Sequence, residues 1–146
     1  MDGFSKRLSR ILRPETGRSL VVAVDHGMAL GPMTGIKNIG ETISRLDATG
    51  LVDAWLLTKG IFRYAFDQVS SSGIILRISG GATIAGPELT REGLTATLEE
   101  ALAADADAVA TSAFIGSSYE HETLVGLARA ASECRKWNMP LLGVVG

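Results

Sequence analysis

The stretch Val21-Val22-Ala23-Val24-Asp25-His26-Gly27, followed by Met28-Ala29-Leu30-Gly31-Pro32, decides how the chain is read. Residues 20–25 form an apolar, β-branched run with no polar alternation. Such a run suits a strand buried on both faces, as in a parallel sheet. It stops at a carboxylate, an imidazole and a glycine. These residues belong at a strand tip, where the chain turns and where a ligand can be met.

Upstream of this strand, Phe4, Leu8, Ile11 and Leu12 recur at helical spacing and predict a helix over 4–12, ended by Pro14 and Gly17. Downstream, the same alternation of short apolar runs and amphipathic stretches repeats. Asn38 and Glu41 have the form of a capping box for a helix that ends near Gly50. Strands are predicted at 54–58, 74–79, 108–114 and 141–145. A weak helix is expected over 60–69. Thr90 is read as the cap of a helix carrying Leu94, Leu98, Ala101 and Leu102. Ser117 and Glu120 look like the capping box of another, with Leu124, Leu127, Ala128 and Ala131 along its buried stripe.

Five strands therefore alternate with helices, and no hairpin signal interrupts them. This is the pattern of βα units around a parallel sheet. A doubly wound open sheet and a (β/α)₈ barrel both satisfy it. The dinucleotide fingerprint is missing after the first strand. Polar or glycine residues end several strands: Asp25-His26, Thr58-Lys59 and Ser79-Gly80. The long segment 27–37 after the first strand also favours a barrel. A closed barrel needs eight strands and about 250 residues, whereas the sequence has 146 residues. Read as a barrel, the chain is therefore a partial (β/α)₈ barrel. Residues 1–146 would be one incomplete domain holding strands one to five, with the last unit cut after its strand.

Composition narrows the function. Fourteen Lys and Arg balance sixteen Asp and Glu, and both signs are mixed along the chain. This excludes a nucleic-acid footprint. The basic residues Lys6, Arg7, Arg10 and Arg13 read as a solvated helix face. No apolar run approaches the length of a membrane span, and the first ten residues lack the apolar stretch of a signal peptide. A single cysteine, Cys134, excludes an internal disulfide. A cytoplasmic protein is expected, with no nucleic-acid or membrane partner.

Five groups of residues, in this order, carry a resemblance: Val24-Asp25-His26-Gly27 with Gly31-Pro32; Leu57-Thr58-Lys59-Gly60-Ile61; Arg77-Ile78-Ser79-Gly80-Gly81; Ile115-Gly116-Ser117 with Glu120-His121-Glu122; and Trp137-Asn138-Met139-Pro140-Leu141. Together they resemble the archaeal-type class I (Schiff-base) aldolase family, whose fold is the (β/α)₈ barrel. Its branches include fructose-bisphosphate aldolases, aminodideoxyheptulosonate synthases and thiolases of a phosphorylated dione. The run Lys6–Ile11 with Thr16-Gly17, and Ile115–His121, are most similar to the thiolase branch. The other branches carry a catalytic tyrosine at the end of strand five, where this sequence has Gly146.

The resemblance implies chemistry on a small phosphorylated ketone or dione through a Schiff base on a strand-six lysine. The substrate phosphate is expected to be held after strands seven and eight. It implies no bound cofactor, with coenzyme A as a co-substrate in a thiolase. These five strands do not include the family's lysine, so the chain is expected to be inactive alone. Its expected partner is a complementary barrel half or further copies of itself in a homo-oligomer, because an open five-stranded sheet has unpaired edges.

By resemblance Asp25 handles protons near the Schiff base. Physically, a carboxylate at a barrel mouth can serve as acid or base. His26 is expected to contact substrate or hold Asp25. Lys59, a lysine at a strand tip, is the residue a Schiff-base amine here would have to be, but the resemblance places that lysine on strand six, so Lys59 is read as an electrostatic contact to substrate or a solvated or ion-paired lysine. Ser79 and Gly80 are read as oxyanion contacts or as a turn. Glu120, His121 and Glu122 do not converge on one helix face, so no metal site is expected. Cys134 is read as a packed small residue.

Overall fold

A computed structural model describes residues 2–69 and 71–146. Its centre is a five-stranded parallel sheet: β1 (Val21–Ala23), β2 (Ala54–Thr58), β3 (Gly73–Arg77), β6 (Ala108–Ala113) and β7 (Leu141–Val145). Between β3 and β6 lie two very short strands, β4 (Ser79–Gly80) and β5 (Gly93–Leu94), which pair antiparallel with each other. The helices are α1 (Gly3–Leu8), α2 (Gly27–Leu30), α3 (Ile39–Asp47), α4 (Lys59–Ala65), α5 (Leu98–Ala103) and α6 (Glu120–Lys136).

In the main sheet the order β1-β2-β3-β6-β7 follows the chain. Each new strand adds beside the last, with no reversal. A doubly wound sheet requires a reversal at its switch point. The expected partial barrel is borne out over the doubly wound alternative: five parallel strands form a half-barrel with helices between them.

Strand alternation sorts the side chains into two layers. Trp55, Leu57, Ile74, Leu76 and Val109 face the helices and join Ile43, Leu98, Ala101, Ala130 and Met139 in the larger core. Burying a large apolar side chain of this kind contributes about 1.5–3 kcal/mol. Ala54, Leu56, Ile75, Ala108 and Ala110 face the concave side and form a second, smaller cluster with Ile11 and Val144. The three central strands are buried along their length, whereas β1 and β7 are largely exposed.

The first helix is shorter than the predicted 4–12. It ends at Leu8 because the Ser9 hydroxyl donates to the Lys6 carbonyl and the chain tightens into turns, Arg10 N–H to Arg7 O and Ile11 N–H to Leu8 O. The bend carries Ile11 beneath the sheet, where it is buried against the concave cluster. Arg7 donates to the Ala106 carbonyl and Arg10 to Asp107, so the basic residues read as a solvated face tie this segment to the start of β6. At Gly73 the approach is so close that an added Cβ would lie 2.7 Å from the Arg10 carbonyl oxygen.

Three other expectations are corrected. The helix assigned to a Thr90 cap begins at Leu98, capped by Thr97. Thr97 Oγ1 accepts from Glu100 N–H at 3.2 Å and Glu100 Oε2 accepts from Thr97 N–H at 3.0 Å. Leu94 mimics the helical period but lies in β5. Asn38 stands at the N-cap of α3 as expected, but its side chain makes no capping bond to the backbone; its amide donates to Glu41 instead. Tyr119, not Ser117, precedes α6, and Glu120 accepts from Gly116 N–H.

Candidate functional site

The tips of β1, β3 and β6 meet at one buried cluster. Asp25 follows β1 in a turn: Met28 N–H donates to the Asp25 carbonyl, and His26 opens the short helix α2. Arg77 ends β3. Alternation places it on the concave side, one position beyond Ile75 on that face. Its guanidinium reaches four side chains. Nη1 donates to Asp25 Oδ2 at 3.1 Å, Nη2 to Glu92 Oε2 at 3.1 Å and to Ser112 Oγ, and Nε to Ser79 Oγ at 3.1 Å. The Asp25, Arg77 and Glu92 side chains are each less than 10% exposed, at 9%, 7% and 7%.

Two carboxylates thus share one guanidinium. Removing charges from water is unfavourable unless each is paired and hydrogen-bonded, and here the planar fork meets that condition. Ser79 completes the network. Its hydroxyl donates to Glu92 Oε2 at 2.8 Å and accepts from Ser112 N–H at 3.0 Å. Among the described residues no hydrogen bond engages Asp25 Oδ1, so one oxygen of that carboxylate is held and the other is not.

Of the residues singled out from sequence, Asp25 and Ser79 are brought together through Arg77. Gly80 lies beside them, packed on α2: a Cβ there would come within 3.2 Å of Met28 Sδ. His26 is half-buried next to Asp25, and its side chain does not cap α2. Lys59 is separate. It starts α4, and its Nζ lies 3.0 Å from Glu100 Oε1 in a crevice lined by Phe62, Arg63, Leu76, Ala103 and Ala104. That crevice opens on the helix side of the sheet. The Glu100 carboxyl is held below its ordinary range, first by the Thr97 backbone N–H and then by Lys59.

Sequence reasoning missed Arg77, Glu92 and Ser112 as members of the cluster. Arg77 did leave a signal, since it is the one charge in the apolar run 74–79 and has the parity of Ile75. Glu92 left none, because it comes from an irregular loop. Glu120, His121 and Glu122 lie in the first turn of α6, and among the described residues no group of three or more His, Cys, Asp and Glu is placed to hold a metal ion. Cys134 is buried, and desolvation pushes its thiol up, away from the reactive thiolate. No described helix is long and apolar enough to cross a membrane.

Known proteins place these features in context. The profile of a family described as "DeoC/LacD family aldolase" matches residues 19–144. A 3-hydroxy-5-phosphonooxypentane-2,4-dione thiolase of Klebsiella pneumoniae subsp. pneumoniae is 34% identical over 144 residues, covering 99% of this chain and 48% of the relative. A thiolase of the same name from Escherichia coli is 33% identical over the same length. Among solved structures, an archaeal fructose 1,6-bisphosphate aldolase superposes with a TM-score of 0.80 at 27% identity, over 96% of this chain and 56% of that one. A fructose-bisphosphate aldolase from Slackia heliotrinireducens shares the fold, with a TM-score of 0.78 at 14% identity, covering 98% of this chain and 49% of that one. The chain spans about half the length of the curated relatives it matches.

Proposed function

Because the chain belongs to the DeoC/LacD aldolase family, we propose that it forms the first part of a barrel enzyme that breaks or makes a carbon–carbon bond beside a carbonyl. The substrate is a small phosphorylated ketone or dione. A Schiff base to that carbonyl supplies the electron sink, and the amine comes from a barrel segment beyond these five strands. Asp25 moves the proton. The observation that carries this reading is the half-held Asp25 carboxylate at the tip of β1, fixed through Oδ2 and unengaged at Oδ1 among the described residues. His26 borders the substrate, and the backbone around Ser79 and Gly80 forms the adjoining wall.

The phosphorylated-dione thiolase is the preferred relative, with coenzyme A as acyl acceptor and no bound cofactor. Its name is borne by relatives at 33–34% identity. Gly146 supports the choice. A Cβ at that position would meet the Phe114 ring at 3.2 Å, so a side chain there, such as a catalytic tyrosine, would crowd it. The second reading, a fructose-bisphosphate aldolase or aminodideoxyheptulosonate synthase, draws on the superposition with the archaeal aldolase. The partner is a complementary barrel half or another copy of the chain. The outer strands support this, since Val21, Leu142 and Val145 are 37%, 39% and 67% exposed. A chain that catalyses nothing and only completes a partner is the limiting form of the same reading.

Borohydride trapping with dihydroxyacetone phosphate tests the proposal. The chain alone is expected to yield no labelled lysine. Mixed with the C-terminal half of a curated thiolase, it is expected to support an imine on the added half, and Asp25→Asn is expected to slow turnover of that mixture at least tenfold. A reduced adduct on Lys59, or turnover indifferent to Asp25, would overturn it.

A further inference from the structure

We propose that Arg77 is a positioning residue. It fixes the Asp25 carboxylate in one orientation, and it is itself fixed by Glu92, Ser79 and Ser112. The inference deepens the assignment of Asp25 as the proton-moving group and rests on that reading.

A carboxylate that follows a strand in a turn has rotational freedom unless something holds it. Only one side chain is hydrogen-bonded to Asp25 among the described residues, and it comes from a strand two places away in the sheet. The holder must itself be rigid. Arg77 has four partners on three separate segments: Asp25 after β1, Ser79 and Glu92 in the β3–α5 connection, and Ser112 on β6. Every nitrogen of its fork is used. Ser79 locks the arrangement further, because it also binds Glu92 and the Ser112 backbone N–H.

Glu92 therefore does more than balance charge. It draws Nη2 away from Asp25, so among the described residues Asp25 receives a single side-chain donor, through Nη1, and not a bidentate pair. A bidentate grip would engage both carboxylate oxygens and leave each with one lone pair, whereas here, among the described residues, Oδ1 keeps both for a proton. The geometry divides the guanidinium between two acids, and the division leaves Asp25 oriented and half-used. A lysine could not reproduce this, since a point charge lacks the planar fork.

The test is magic-angle-spinning NMR of the chain labelled with 13C,15N-aspartate and 15N-arginine, which tolerates whatever assembly the chain forms. In the unmodified protein, Asp25 is expected to give one narrow Cγ resonance with a dipolar contact to an Arg77 Nη. In Arg77→Gln the Asp25 line is expected to split or broaden at least twofold. The lines of Asp53 and Asp107, held by Arg13 and Arg10, stay narrow and serve as references. Arg77→Lys is expected to narrow the line only in part, and Glu92→Gln to shift the Nη2 signal. A heterogeneous Asp25 line in the unmodified chain overturns the proposal without any variant. So does an Asp25 line in Arg77→Gln identical to that of the unmodified protein. These readouts need no turnover, so a failure of Asp25 as the proton carrier shows separately in the Asp25→Asn assay.

Discussion

Arg77 reaches Asp25 across an intervening strand. β2 separates β3 from the tip of β1, yet Nη1 of Arg77 lies 3.1 Å from Oδ2 of Asp25 and both side chains are at least nine-tenths buried. Contact over that span needs a sheet curved toward its concave side. The pair is therefore a reporter of the curvature of the half-barrel.

Removing the guanidinium leaves Asp25 and Glu92 as uncompensated buried acids. Arg77→Met is expected to lower stability by about 3–5 kcal/mol, the usual result of breaking a buried pair from one side. Asp25→Asn is expected to lower it less, because Arg77 keeps Glu92 and both serines. Urea denaturation followed by circular dichroism ranks the two, and the reverse order would contradict the network.

The start of α5 depends on a reciprocal cap. Thr97→Ala removes the acceptor for Glu100 N–H and is expected to cost about 1 kcal/mol. Thermal unfolding measures it. Thr90→Ala, at the position the helical period suggested, is expected to change stability by less than about 0.5 kcal/mol as an ordinary surface substitution.

Asp53 gives a pH dependence with a defined sign. The Arg13 guanidinium and then the Leu20 N–H hold its carboxyl below the ordinary carboxylate range. The folded state thus binds fewer protons than the unfolded one in mildly acid solution, and stability rises with pH there. The contribution is complete above the unfolded value and is lost as pH falls through the folded one. Asp53→Asn is expected to be destabilising near neutrality and to converge with the parent protein in strong acid. Denaturation midpoints measured across that range check it, and a constant difference would refute the linkage.

Gly73 meets the Arg10 carbonyl so closely that the backbone leaves no room for a methyl group. Gly73→Ala is expected to cost about 1–3 kcal/mol through overpacking. Gly143→Ala, where the nearest atom to the new carbon would be Leu127 Cδ1 at 3.8 Å, is expected to be close to neutral. Parallel unfolding curves for the two variants decide this.

Most of the architecture was legible from residue order. Strands 54–58 and 141–145 are found with the predicted bounds, because each is an apolar run between turn-forming residues. The alternation of elements indicated βα units, the polar strand tips and the family resemblance favoured a barrel, and the pairing order bears that out. Local signals failed where tertiary contacts overrode them. Ile11 has the helical period of Leu8 yet leaves the helix, since burial under the sheet outweighs one more turn. Leu94 stands four residues before Leu98 yet pairs with Ser79. For the site, the tip residue Asp25 was evident and its holder was not. A lone arginine in an apolar strand signals burial with a partner, but the partners come from residues 25, 92 and 112, far apart in sequence. Lys59 was grouped with the mouth because it follows a strand. The first turn of α4 points its side chain to the outer layer instead, where Glu100 takes it.

The anchoring of the first segment has a practical consequence. Arg7 and Arg10 fasten residues 3–11 to Ala106 and Asp107, at the end of the sheet opposite Asp25. An affinity handle or surface tether joined ahead of Asp2 would therefore emerge on the far side from the candidate mouth. Chains immobilised in that orientation would present Asp25 and the outer strands to whatever flows past.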